Sequence, residues 1–245
     1  MEGPAVKVIK LVKKYGRNTV LRELEFEIDK GEIFGLFGPN GAGKTTFVSI
    51  LAAISKPTSG DIIVNGFSVR EQPDRVKADI GFVPQDIALY PMLSGKDNLD
   101  FWAGIYGLRG RLKKERMSEA ISIVRLEDRI KDRVSEYSGG MKRRLNIAVS
   151  LMHHPKILVM DEPMAGVDVV SRKYILDALA NLKNEGRTIV FTSHYSDELE
   201  TLCDRIAIMD KGKIIKTGSA DELKKTYGAA SLAPVLFQLT EGCDP

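Results

Sequence analysis

The sequence predicts an α/β fold, with a mainly parallel sheet covered by helices on both faces. Two patterns carry that prediction. Over most of the 245 residues, short apolar runs suited to buried strands alternate with apolar residues spaced three and four apart, as on one helix face. Between one such run and one such helix lies a glycine-rich turn, Gly38-Pro39-Asn40-Gly41-Ala42-Gly43-Lys44-Thr45-Thr46. A third pattern, wholly helical over residues 86–151, marks a helical subdomain inserted into the α/β core. The chain then reads as a single domain over 1–245. Its α/β core covers 1–85 and 152–227, including an N-terminal antiparallel β subdomain, and 228–245 forms a tail.

Val6, Val8 and Leu11 begin a strand that ends at Lys13-Lys14-Tyr15-Gly16. Residues 20–28 alternate Leu24, Phe26 and Ile28 with Glu23, Glu25 and Glu27, the period of a half-buried strand. Residues 33–37 are an apolar strand, and Phe47, Ile50, Leu51 and Ile54 share the face of the helix after the loop. Pro57-Thr58-Ser59-Gly60 is a turn before a strand at 61–66, and another short strand spans 80–83. Three helix faces follow, on Leu99/Trp102/Ala103/Tyr106, Met117/Ala120/Ile121/Val124 and Leu145/Ala148/Val149/Met152. Beyond Pro155, strands are expected at 157–160, 188–192 and 206–209, with helices at 172–182, 197–203 and 220–227. Lys211-Gly212 is a hairpin turn into Ile214-Ile215.

The glycine-rich turn has the makings of a phosphate-binding loop. Its glycines let the backbone curl around an anion and turn several N–H groups inward. The helix that follows adds partial positive charge at its N-terminus. Lys44 supplies a full charge for terminal phosphates, and Thr45 a hydroxyl for the accompanying magnesium. Asp161-Glu162 directly follows an apolar strand. There one carboxylate can reach magnesium and the other can polarise a water. Tyr137-Ser138-Gly139-Gly140-Met141 opens a helix and reads either as a second anion site or as a plain serine N-cap.

Composition excludes several classes. A net charge of +3 gives no global argument for nucleic acid or an anionic membrane surface. Cys203 and Cys243 match no metal or disulfide pattern, which favours a reducing, intracellular setting. Glu2, Lys7 and Lys10 break any signal-peptide pattern. Apolar runs stay far below the ~20 residues that span a bilayer, so the chain is expected to be soluble and any membrane role to act through a partner. His153-His154 precedes Pro155 with no third ligand nearby. The basic residues of 109–116 read as a solvated helix face and Trp102 as packing.

These motifs together resemble the nucleotide-binding subunit of ABC transporters, over nearly the whole chain. Residues 38–46 resemble Walker A, 137–141 the ABC signature and 157–162 Walker B with its catalytic glutamate. Gln85 matches the Q-loop, Ala165-Gly166-Val167-Asp168 the D-loop, and His194 the switch histidine. The resemblance implies a P-loop NTPase (RecA-like) core and ATP with Mg²⁺. Gly38, Pro39, Asn40, Gly41, Ala42, Gly43, Lys44, Thr45 and Thr46 would hold the phosphates, with Tyr15 and Val20 at the adenine. Thr45, Gln85 and Asp161 would surround the metal. Glu162 would act as general base, His194 would contact the γ-phosphate, and Lys44 and Gln85 would complete the catalytic set. Ser138, Gly139 and Gly140 would close on the ATP of a second nucleotide-binding subunit, the same chain or a relative, and Asp168 would link the two sites.

The resemblance further implies an integral membrane permease subunit as partner, no nucleic acid, and a cytoplasmic location at the inner face of the cell membrane through that partner. Ile87, Tyr90, Pro91 and Met92 would form the docking contact. Residues 97–108, 192–198 and 235–240 resemble exporters of the drug, antibiotic or polysaccharide type. An importer subunit, or a soluble ATPase of this family working on ribosomes or DNA, are the alternatives. Met141 and Met164 depart from the commonest motifs.

Overall fold

A computed structural model describes residues 3–240 of the chain. Near the N-terminus, β1 (Val6–Tyr15), β2 (Asn18–Ile28), β4 (Ser59–Val64) and β5 (Phe67–Ser68) form an antiparallel sheet in the order β2-β1-β4-β5. A second sheet contains β3 (Ile33–Phe37), β6 (Ile80–Val83), β7 (Ile157–Asp161), β8 (Thr188–Ser193), β9 (Arg205–Asp210) and β10 (Lys213–Gly218). Its order is β10-β9-β3-β8-β7-β6. Only β10 runs antiparallel to its neighbour; the remaining pairs are parallel.

Parallel strands are buried on both faces, so alternate side chains enter different cores. Phe34, Leu36, Val159, Val190 and Met209 face the antiparallel sheet together with Phe47 and Val48 of α1 (Lys44–Leu51). Ile33, Phe37, Leu158, Met160, Phe191 and Ile208 face the opposite way. There they meet α5 (Gly139–Leu151), α6 (Val169–Asn184), α7 (Ser196–Leu202) and α8 (Ala220–Thr226) through Leu145, Ile175, Leu199 and Leu223. Between β6 and β7, α3 (Gly95–Ile105) and α4 (Gly110–Ile123) join α5, and Leu99 and Met117 extend the same core. Gly35 shows which force decides β3. Glycine weakens a strand, on a propensity scale spanning about 1 kcal/mol. A Cβ there, however, would lie 2.4 Å from Leu199 Cδ2, so glycine is what lets α7 seat on the sheet. The buried apolar neighbours, worth about 1.5–3 kcal/mol each, more than offset the weak propensity.

Several expectations need correction. α1 ends at Leu51, and Ile54 lies beyond it, 62% exposed, where a helix-face position was expected. The short β5 and α2 (Pro73–Asp79) were not expected. The one buried residue of α2 is Val76, too little to give a periodic signal. Within the stretch read as a tail, α9 (Leu232–Thr240) docks Leu232 and Val235 into the core. Pro234 disguises it in the sequence, yet a proline in the first turn removes no helical hydrogen bond. Residues 241–245, including Cys243, lie outside the described residues.

Candidate active site

The loop after β3 is pressed between β9 and β2. A Cβ on Gly38 would sit 2.1 Å from the Met209 carbonyl oxygen. On Gly43, whose φ is +109°, it would sit 2.8 Å from Leu21 Cδ2 and 3.2 Å from the Val20 carbonyl oxygen. Gly41 also adopts a positive φ, +82°. Only glycine passes at such positions, and the contact places Val20 directly against the loop. α1 begins at Lys44 with no side-chain cap and no acidic residue in its first turn, which leaves its leading amides to an anion. Ala42 N donates to Pro39 O within the turn, while Asn40 and Thr45 face outward and Thr46 is half-buried. Lys44 is only 5% exposed. Its Nζ donates to the carbonyls of Gly38 at 2.7 Å and Pro39 at 3.1 Å. Burial lowers its pKa, against the pull of Glu162 and Asp161.

Two strands away, β7 ends at buried Asp161. Its Oδ1 accepts a hydrogen bond from Thr192 Oγ1 at 2.7 Å, and the same hydroxyl accepts from the Glu162 amide at 3.0 Å. Glu162 has φ +46°, a conformation that costs a side-chain-bearing residue of order 1 kcal/mol or more. The turn brings its carboxylate across β8 towards β3. Glu162 Oε1 stands 3.9 Å from Lys44 Nζ and 3.1 Å from His194 Nδ1, the latter out of line for a hydrogen bond. Lys44, Asp161, Glu162 and His194 thus converge from three parallel strands.

Other expected residues lie apart from this cluster. Gln85 is exposed after β6, and its backbone carbonyl accepts from Arg143 Nη2 at 2.5 Å; Pro84 O accepts from Nη1 at 2.7 Å. Ser138 caps α5 by accepting from the Met141 amide, so the plain N-cap reading of Ser138 is also satisfied. Gly139 and Gly140 pack on the start of α6, where Asp168 is the N-cap. Among the described residues no hydrogen bond or ion pair joins Ser138, Gly139 or Gly140 to residues 38–46. Tyr15 is 54% exposed near the β1–β2 turn, with Lys13 Nζ 4.7 Å over its ring. His153 Nε2 approaches the Ile80 carbonyl oxygen at 3.0 Å and its ring stacks on Tyr106. Met164 is fully buried core.

Sequence reasoning missed Arg143 and the bridging role of Thr192. Nothing in the sequence separates Arg143 from its charged neighbours Lys142 and Arg144 on α5; only the structure shows it 5% exposed, where a guanidinium demands hydrogen-bond partners.

The arrangement fits a nucleoside triphosphate. The loop offers backbone donors and a buried ammonium, and the neighbouring strands offer carboxylates. Asp161, with an oxygen beyond the one held by Thr192, and Thr45 are hard oxygen donors suited to magnesium. A carboxylate beside an ammonium and an imidazole can orient water against a phosphoryl group. A protein-family model for the ABC transporter matches residues 21–165. The chain belongs to the ABC transporter family. It is an ATP-binding ATPase of that family. The linearmycin resistance ATP-binding protein LnrL of Bacillus subtilis is 44% identical over 90% of this chain and 71% of its own length. The probable multidrug ABC transporter ATP-binding protein YbhF of Escherichia coli is 40% identical over 87% of this chain, which spans only 37% of that protein. Among solved structures, the post-hydrolysis dimer of the ATP-binding cassette MJ0796 with ADP and Pi is 26% identical. It covers 87% of this ABC ATPase and 98% of its own chain, with a TM-score of 0.78. No helix among the described residues is long and apolar enough to cross a membrane.

Proposed function

We propose that this ABC ATPase dimerises around two ATP molecules and powers export through a separate membrane-spanning partner, at the cytoplasmic face of the cell membrane. The observation that carries the catalytic part is the meeting of Lys44, Glu162 and His194 within 3.9 Å of one carboxylate oxygen. The loop amides and Lys44 would hold the phosphates, with the other residues of 38–46 shaping the cradle and Val20 and Tyr15 on the adenine side. Glu162 would orient the attacking water and take its proton, and His194 would contact the γ-phosphate. Magnesium, when bound, neutralises phosphate charge; Thr45, Asp161 and Gln85 would hold it. Ser138, Gly139 and Gly140 would complete the site of the second subunit, and Asp168 would lie at the junction.

Export is supported by the names of relatives, which include antibiotic resistance and multidrug transport proteins. A docking surface is supported by exposed apolar residues after β6: Ile87, Tyr90, Met92 and Leu93, with Phe101 edge-on to Tyr90. Beside them a groove of about 370 Å³ is lined by Phe82, Pro84, Trp102 and Tyr106. Affinity purification of the tagged chain from solubilised membranes tests the reading. A polytopic membrane protein is expected to co-purify. Ribosomes or repair proteins in its place would overturn the transporter role, and a co-purified importer would overturn the direction.

A further inference from the structure

One buried carboxylate takes no part in the chemistry above. Glu198, on α7, is 4% exposed. Its Oε2 accepts from Ser193 Oγ at 2.7 Å, and Arg172 Nη2 of α6 stands 3.6 Å from Oε1. The Ser193 hydroxyl also accepts the Tyr195 amide at 3.0 Å, closing the turn that presents His194. Burial raises the Glu198 pKa, and Ser193 and Arg172 oppose it. A carboxylate out of water is costly unless hydrogen-bonded and paired. One partner, Ser193, leads to the His194 turn, and the other, Arg172, leads to the start of α6.

The His194 side chain makes no hydrogen bond through its buried Nδ1, although Glu162 Oε1 stands 3.1 Å from that atom. Its ring leans on Tyr195 at 4.0 Å. Apart from the Glu162 carboxylate, its position depends on the backbone turn that Ser193 closes. At the other end, Arg172 lies four residues past Asp168, the N-cap of α6. A Cβ on Gly140 would sit 2.2 Å from Ser171 Oγ and 2.5 Å from Asp168 Oδ2. With no slack there, a shift of the α5 start carries the first turns of α6 with it.

We infer that Glu198 is a positioning residue: with Arg172 and Ser193 it ties the His194 turn to the start of α6, on which Gly140 of α5 is packed. Closure of the α5 start over a second subunit's nucleotide would then set His194 at the chain's own nucleotide. The inference rests on the proposed role of His194.

The test is steady-state ATP turnover of the full chain. Glutamine keeps the size of Glu198 and an acceptor for Ser193 but loses the charge facing Arg172. Glu198→Gln is expected to lower kcat about tenfold with KM for ATP within about twofold, because the phosphate loop is untouched. Arg172→Ala, which leaves buried Glu198 without its cation and is therefore checked for folding by its thermal midpoint, is expected to do the same. Arg172→Lys should restore most of kcat. The double variant should lose no more than the worse single one, since both act through one link. Wild-type kcat in Glu198→Gln, a KM that rises with the fall in kcat, or losses that multiply would overturn the relay. His194→Ala serves as reference. If it turns over normally, the role of His194 falls, and the relay with it. If it is inactive while Glu198→Gln is normal, only the relay falls.

Discussion

Lys44 is bound by its own loop carbonyls in the structure, and its environment disfavours its charge. Two outcomes follow from that one residue. Lys44→Ala should abolish measurable ATP turnover, as scored by phosphate release, because no other ammonium stands in the loop. Titration of Lys44 itself weighs against the fold at pH 7, since a lysine whose folded pKa lies below its unfolded one destabilises the fold while both states are protonated; this partly offsets the two hydrogen bonds to Gly38 and Pro39 that the variant loses. That penalty is full below the folded pKa, fades as pH rises through it, and vanishes above the unfolded value. Thr192→Val probes the neighbouring carboxylates. It orphans Asp161 Oδ1 and the Glu162 amide, so turnover should drop at least about tenfold and stability by roughly 1–3 kcal/mol in urea titration. The residue types of this site were legible in the sequence. The hydroxyl that links the Asp161 carboxylate to the Glu162 backbone amide was not, because a threonine in an apolar strand reads as an ordinary strand former.

At the scale of elements, α5 and α6 act as a unit because Gly140 leaves no room for a methyl group. Gly140→Ala should cost about 1–3 kcal/mol by overpacking, measured as a lower denaturation midpoint. Arg143, from the same helix, holds the chain at Pro84 and Gln85. Arg143→Ala should keep ATP binding but reduce turnover, compared by nucleotide titration and phosphate release. Strand and helix periods made most elements readable, since 2.0 and 3.6 are written into residue spacing. β5, α2 and α9 were not readable: each is short, and tertiary burial rather than local pattern holds it.

For the whole molecule, the proposal requires two chains. Glu162→Gln should bind ATP and elute as a dimer on gel filtration with ATP and as a monomer without it. An ATP-independent elution volume would count against the proposed sandwich. Chelation of magnesium should stop turnover of the wild-type chain and its re-addition should restore it. Tyr90→Asp with Met92→Asp should leave ATP turnover of the isolated chain intact and abolish recovery of the membrane partner, since both side chains are exposed and away from the phosphate loop.

By itself the sequence determined the strand–loop–helix at 33–51, the alternation that builds a parallel sheet, and which side chains are chemically able to serve ATP. These depend on near neighbours and are therefore encoded in short spacings. Only the tertiary structure decided that Lys44, Glu162 and His194 meet. Their separations of 32 to 150 residues are closed by the order β3-β8-β7 and by the left-handed turn at Glu162. The same packing tied Gly140 to α6 and Glu198 to the His194 turn. Such contacts arise from which faces bury together, a property of the whole core that no local window contains.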